Sequence, residues 1–207
     1  MAVRTMRNQS GKKGNGAAIK GGAVILVFLI GIIVYYYYLT NRESTRNAEQ
    51  NVKLTAVQEV LSRDLNIRYP STPRELITYY SEITKCFYNE TYTEAELEDL
   101  AKQARKLYDE ELLANNTYIQ YLMDLEEDIQ YFKGNGIRIS NFIVSSSLDV
   151  DEFKQDGERF ARLYCTYMLS SGGQKTTVEE VFILRKDEDG HWKILGWDLA
   201  ENVILED

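Results

Sequence analysis

Hydrophobic and polar positions follow three patterns along the chain. The first is an unbroken apolar run. Gly21 to Leu39 reads GGAVILVFLIGIIVYYYYL, 19 residues without a charge. As a helix it spans roughly 28 Å, close to the hydrocarbon thickness of a bilayer. The second pattern has helical spacing. Leu54, Val57, Leu61 and Leu65 recur three and four residues apart within AEQNVKLTAVQEVLSRDLN, which predicts an amphipathic helix ended by Pro70. The third pattern alternates with period two. In ERFARLYCTYMLS, Ala161, Leu163, Cys165, Tyr167 and Leu169 share one side, and Phe160, Arg162, Tyr164, Thr166 and Met168 share the other.

Start and stop signals divide these regions into elements. Thr72, Pro73 and Glu75 open STPRELITYYSEITKCFYN as N-cap, first helical residue and closing member of a capping box. Leu76, Tyr79, Tyr80, Ile83, Cys86 and Phe87 are its predicted buried face. Thr93 and Glu96 form a second capping box, which predicts one helix over YTEAELEDLAKQARKLYDEELLANN up to Asn115 and Asn116. TYIQYLMDLEEDIQYFKGNG predicts the fourth helix, ended at Gly134 or Gly136. IRISNFIVSSSLDV then starts the strands. SSGGQK and DEDG mark turns on either side of TTVEEVFILRK, and HWKILGWDLAE is the last strand. Helices followed by an antiparallel meander predict an α+β fold for residues 49–207, after a short polar linker at 40–48.

Charge gives these elements a location. Residues 1–20 hold Arg4, Arg7, Lys12, Lys13 and Lys20 and no acid. The other 19 Lys and Arg face all 32 Asp and Glu, so the part after the apolar run carries −13. The positive-inside rule then predicts a disordered basic tail at 1–20 in the cytoplasm, a transmembrane helix at 21–39 and the acidic domain outside the cell membrane. A cleaved signal peptide fits poorly. Its apolar region is shorter and ends in small residues, whereas this run ends in Tyr35, Tyr36, Tyr37 and Tyr38. Adjacent helical residues turn by about 100°, so the four tyrosines ring the helix at the depth of the membrane interface, with Arg42 already in water. The lipid bilayer is thus the first predicted partner. The acidic surface excludes nucleic acid as another.

YYYYLTNR, YYSEITKCFYNE, DEELLANN and LRKDEDGHWKILGW together resemble a family of membrane-anchored bacterial proteins, domain of unknown function 6715. The helical first half and the closing WKILGW are also similar to the nuclear-transport-factor-2-like (cystatin-like) superfamily. That likeness implies helices closing a curved sheet into a cone. The first family has no assigned activity, so the resemblance implies an architecture and no reaction.

Candidate chemistry is sparse. His191 is the only histidine and follows a turn, where a catalytic base lacks shelter. Cys86 and Cys165 form no metal motif; both a disulfide and two free buried thiols are open. The acidic runs lack the ligand spacing of a calcium loop. No catalytic residue, metal or cofactor is therefore assigned. Tyr79, Tyr80, Tyr164, Trp197 and Asp198 are the pocket candidates. Superfamily enzymes that pair a Tyr with an Asp inside the cone make Asp198 the residue to watch. The expected function is a binding or assembly module for an unidentified protein at the cell surface. The alternative is a small-ligand sensor or a cryptic enzyme using the cone pocket.

Overall fold

The computed structural model describes residues 54–202. The predicted tail at 1–20, the span at 21–39 with Tyr35–Tyr38, Arg42 and the linker at 40–48 lie outside the described residues. Among the described residues, no helix is long and apolar enough to cross a membrane.

Five helices precede the sheet: α1 (Ala56–Leu61), α2 (Pro73–Asn89), α3 (Glu94–Arg105), α4 (Glu110–Asn115) and α5 (Tyr118–Gly134). The first is shorter than its apolar spacing predicts. Leu54 is 52% exposed, and a capping box between Thr55 and Gln58 starts the helix after it. The chain leaves the helix at Ser62. Just beyond, the Asp64 carboxylate accepts the Asn66 backbone N–H at 2.9 Å. That local bond offers the backbone an alternative to another helical turn. Leu65 is buried nonetheless, from a turn instead of a helix.

Thr72 and Pro73 open α2 as predicted. The box closes differently, however. Glu75 accepts the backbone N–H of Ser71 at 2.9 Å and its hydroxyl at 2.8 Å, one residue before the cap. The predicted buried face of α2 is buried throughout. The box at Thr93 and Glu96 is complete in both directions. Thr93→Ala is expected to cost about 1 kcal/mol of unfolding free energy in a urea titration.

The single helix predicted from the Thr93 cap up to Asn115 and Asn116 is two helices, α3 and α4. Between them, Leu107 accepts the Ile194 N–H and Asp109 donates its own N–H to the Ile194 carbonyl, each at 2.8 Å. The segment pairs with a strand 87 residues away in sequence, so Leu107 and Tyr108 are buried as sheet neighbours. Asp109 then caps α4 by accepting the Glu111 N–H at 2.9 Å.

The sheet has five antiparallel strands: β1 (Arg138–Val144), β2 (Asp151–Gln155), β3 (Glu158–Ser171), β4 (Gln174–Lys186) and β5 (Trp192–Leu199). The order is β1-β3-β4-β5, and β2 pairs with the start of β3 on the side where β1 pairs with its end. The sequence reading missed β2 because all five of its residues are exposed and lack apolar alternation. Its only sign was Asp156-Gly157, a tight hairpin turn with φ of 51° and 90°. The alternation of β3 holds: Ala161, Leu163, Cys165 and Tyr167 face the helices and are buried. Register slips between Ile139 and Asn141 and between Ile183 and Leu184 mark bulges, which bend strands locally. Leu76, Ile83, Leu100, Leu163, Phe182 and Ile194 form the centre of the core, all fully buried.

Candidate functional site: an acidic position on the inner face of the sheet

α2 packs over the helix-facing side of the sheet, the inner face. Directly opposed residues of an antiparallel pair share a face, so the register assigns every side chain. Leu163, Phe182 and Trp197 form one row across the inner face, and Cys165, Glu180 and Leu199 form the next. Tyr164, Val181 and Asp198 form a row on the other face.

The five pocket candidates therefore do not converge. Tyr79 is buried and fully engaged: its hydroxyl donates to the Val60 carbonyl at 2.9 Å and accepts from Gln103 Nε2 at 2.9 Å. It ties α2 to α1 and α3. Tyr80 and Trp197 do come together, with ring centroids 5.7 Å apart. Tyr164 lies on the opposite face. Asp198 shares that face, is exposed, and accepts the Leu199 N–H at 2.7 Å. The carboxylate expected inside is on the outside, because adjacent residues of a strand point to opposite sides.

The acid on the inner face is Glu180. Cys165 and Leu199 flank it, and it is half-buried. Among the described residues, no donor or cation lies within hydrogen-bond or ion-pair distance of its carboxylate. Burial alone pushes its carboxyl up to about 7. Its charge in turn raises the hydroxyls of Tyr80 and Tyr88 and the thiol of Cys165 and phenol of Tyr167, after the larger effect of their own burial. All four groups are neutral near pH 7. Asp128 of α5 acts on Tyr88 in the same direction.

Around this position stands an aromatic wall. Tyr80 lies 5.8 Å from Phe182, Trp197 lies 6.1 Å from Phe182 and 5.7 Å from Tyr108, and Tyr121 meets Tyr108 edge-on at 6.0 Å. The hydroxyls of the innermost tyrosines are already occupied. Tyr80 shares a hydrogen bond with Tyr108 at 3.3 Å, and Tyr167 with Ser81 at 2.9 Å. Solvent reaches the end of the row, where Trp197 is 40% and Leu199 37% exposed. The sequence does carry a sign of Glu180. With β4 read as a strand, alternation sets Val178, Glu180, Phe182 and Leu184 on one face, an acid within an apolar series.

The cysteines are both free and buried. Burial, then Glu90, pushes the Cys86 thiol up to about 11, so it resists ionisation. His191 packs tilted against Tyr69, ring centroids 4.4 Å apart, at the exit of the Asp187–Gly190 turn. Ligand atoms of Asp187, Asp189 and His191 lie within 4.8 Å of one another. Asp187 is already used by that turn, accepting the His191 N–H at 2.7 Å, and Lys193 Nζ stands 3.9 Å from it.

The sequence model described as Domain of unknown function (DUF6715) matches residues 6–197. The chain belongs to that family. The DUF6715 match takes in the apolar run at 21–39 as well as the sheet as far as Trp197, and Glu180 lies within it. No curated protein matches the chain.

Proposed function

We propose that this DUF6715 protein is a single-pass membrane protein whose extracytoplasmic α+β domain is a binding module, with its recognition site on the inner face around Glu180. The carrying observation is a half-buried carboxylate with no partner among the described residues, set in an aromatic wall that solvent reaches. Folding leaves such a group costly, and an occupant that compensates it supplies a reason for keeping it. Residues 21–39 form the anchor, supported by their uncharged length and by the step from five basic residues before them to a −13 segment after them. The domain is of the nuclear-transport-factor-2-like kind. Supporting that reading are the order of elements, the packing of α2 on one sheet face and the two bulges that bend the strands.

The role proposed for the domain is binding, with no catalytic residue assigned to it. An unidentified protein at the cell surface is the second kind of occupant, favoured by the exposed Trp197 and Leu199.

Topology is tested on intact cells with a membrane-impermeant thiol reagent. Cysteines are placed singly at Ser10 and at Ser146, which is exposed; Cys86 and Cys165 are buried and stay silent. The expected result is labelling at position 146 and none at position 10 until the cells are opened. Labelling at position 10 alone reverses the orientation.

A further inference from the structure

We infer that the position around Glu180 binds an alkylated ammonium group, a small organic cation whose charge pairs with the Glu180 carboxylate while its alkyl groups lie against Tyr80 and Trp197. The inference rests on the binding-module reading and names the ligand class for it.

Four observations select this chemistry. First, the carboxylate lacks a countercharge. The buried acid Asp109 is paired with Arg185, whereas no Lys or Arg among the described residues meets the half-buried Glu180. A cation supplies what is missing; an anion would add a second uncompensated charge. Second, the wall offers rings and few acceptors. The Tyr80 and Tyr167 hydroxyls are committed to Tyr108 and Ser81, so their π faces and edges are what remains for a ligand. Aromatic faces attract cations through their quadrupole, and most usefully a desolvated one. Third, a metal ion fits poorly. A hard divalent cation requires six or so oxygen ligands, and the neighbours of Glu180 in its row are Cys165 and Leu199. A primary ammonium also fits poorly, since its three N–H groups each need an acceptor. Alkylated nitrogen needs fewer. Fourth, the −13 segment that contains the site concentrates cations at its surface.

The proton competes with such a ligand. The groups facing Glu180 are Tyr80 and Tyr88 from α2 and Cys165 and Tyr167 from β3, with Leu199 from β5 uncharged and Asp128 of α5 beyond Tyr88. None of the tyrosines or the thiol carries charge near neutrality, so the pH profile of binding belongs to Glu180.

The test uses the full chain in a maltoside detergent, which carries no ammonium group. Choline is titrated against its neutral isostere 3,3-dimethylbutan-1-ol, and binding is followed by Trp fluorescence, Trp197 being the exposed one of the two. The expected result is saturable choline binding about tenfold or more tighter than the alcohol, since the charge interactions with a carboxylate and an aromatic wall add up to at least that factor. Affinity should rise as pH increases from 5.5 to 8. Glu180→Gln should reduce it about tenfold and flatten the pH profile. Trp197→Leu, followed by chemical-shift changes, should weaken it several-fold. Phosphocholine separates two sources: tighter binding than choline assigns a lipid headgroup, and weaker binding assigns a free amine. Equal affinity for choline and the alcohol overturns the ligand class but leaves a binding site. Saturable binding of neither overturns the site itself, and an unchanged Glu180→Gln variant removes Glu180 from it. The topology result is independent of all three.

Discussion

Arg185→Leu is expected to lower the unfolding free energy of the domain by about 3–5 kcal/mol, the usual cost of breaking a buried ion pair on one side. Arg185 reaches across from β4 to Asp109, its Nε donating to Oδ2 at 3.0 Å and its terminal nitrogen to Oδ1. This forked geometry is the strongest form of the interaction. Asp109 is 4% exposed. Without the guanidinium its charge stays buried, with Glu111 and Glu158 also deprived of the cation they approach at 3.4 Å. The same side chain caps α4, and its backbone bonds to Ile194. One loss therefore loosens the join between the helices and the sheet edge. The double variant Asp109→Asn/Arg185→Leu should recover most of the stability, because an amide keeps the cap and carries no charge. Urea titration of both variants measures the difference. A loss below about 1 kcal/mol for Arg185→Leu would mean the pair behaves as an exposed one.

Glu180→Gln is expected to stabilise the domain at pH 8 and leave it unchanged at pH 4. In the folded state the Glu180 carboxyl keeps its proton up to about 7, against 4.5 for the ordinary group. Between those two values the folded state binds more protons than the unfolded one, so stability falls as pH rises. Below the lower value both states are protonated and the group costs nothing. Above the upper value both are ionised and the whole penalty is present, on the order of 2–3 kcal/mol after allowance for partial exposure. Glutamine never ionises, so the variant gains that amount at high pH only. Thermal melts of the two proteins from pH 4 to 8 test it. A difference that is constant with pH, or a variant less stable at pH 8, would show that the carboxylate is compensated in the fold. A gain in stability together with a loss of choline binding is the pattern of a residue kept for function.

Much of this fold is legible in local sequence. The starts of α2 and α3 follow from Thr72-Pro73 and from Thr93 with Glu96, because a cap is formed by residues three apart. The face of β3 follows from its alternation. Family membership is also readable from the sequence, through the stretches around YYYYLTNR and LRKDEDGHWKILGW. Where the reading failed, the missing information was a contact between distant segments. Helical periodicity continues through Lys106 to Asp109, and only the bonds to Ile194 break it. β2 is amphipathic on neither side and shows itself through a two-residue turn alone. Asp198 looked like an inward acid because it neighbours Trp197, and that adjacency is what turns it outward.

The sequence by itself determined the α+β order, the starts of α2 and α3, the turns at 170–175 and 187–190 and the charge contrast across the 21–39 run, all of them properties of residues within one turn or one strand of each other. The tertiary structure alone decided that the inward acid, Glu180, has no partner among the described residues. Glu180 is half-buried because Cys165 from β3, Leu199 from β5 and the aromatic face of α2 meet there. Its proton affinity comes from their exclusion of water, a quantity that no single segment carries.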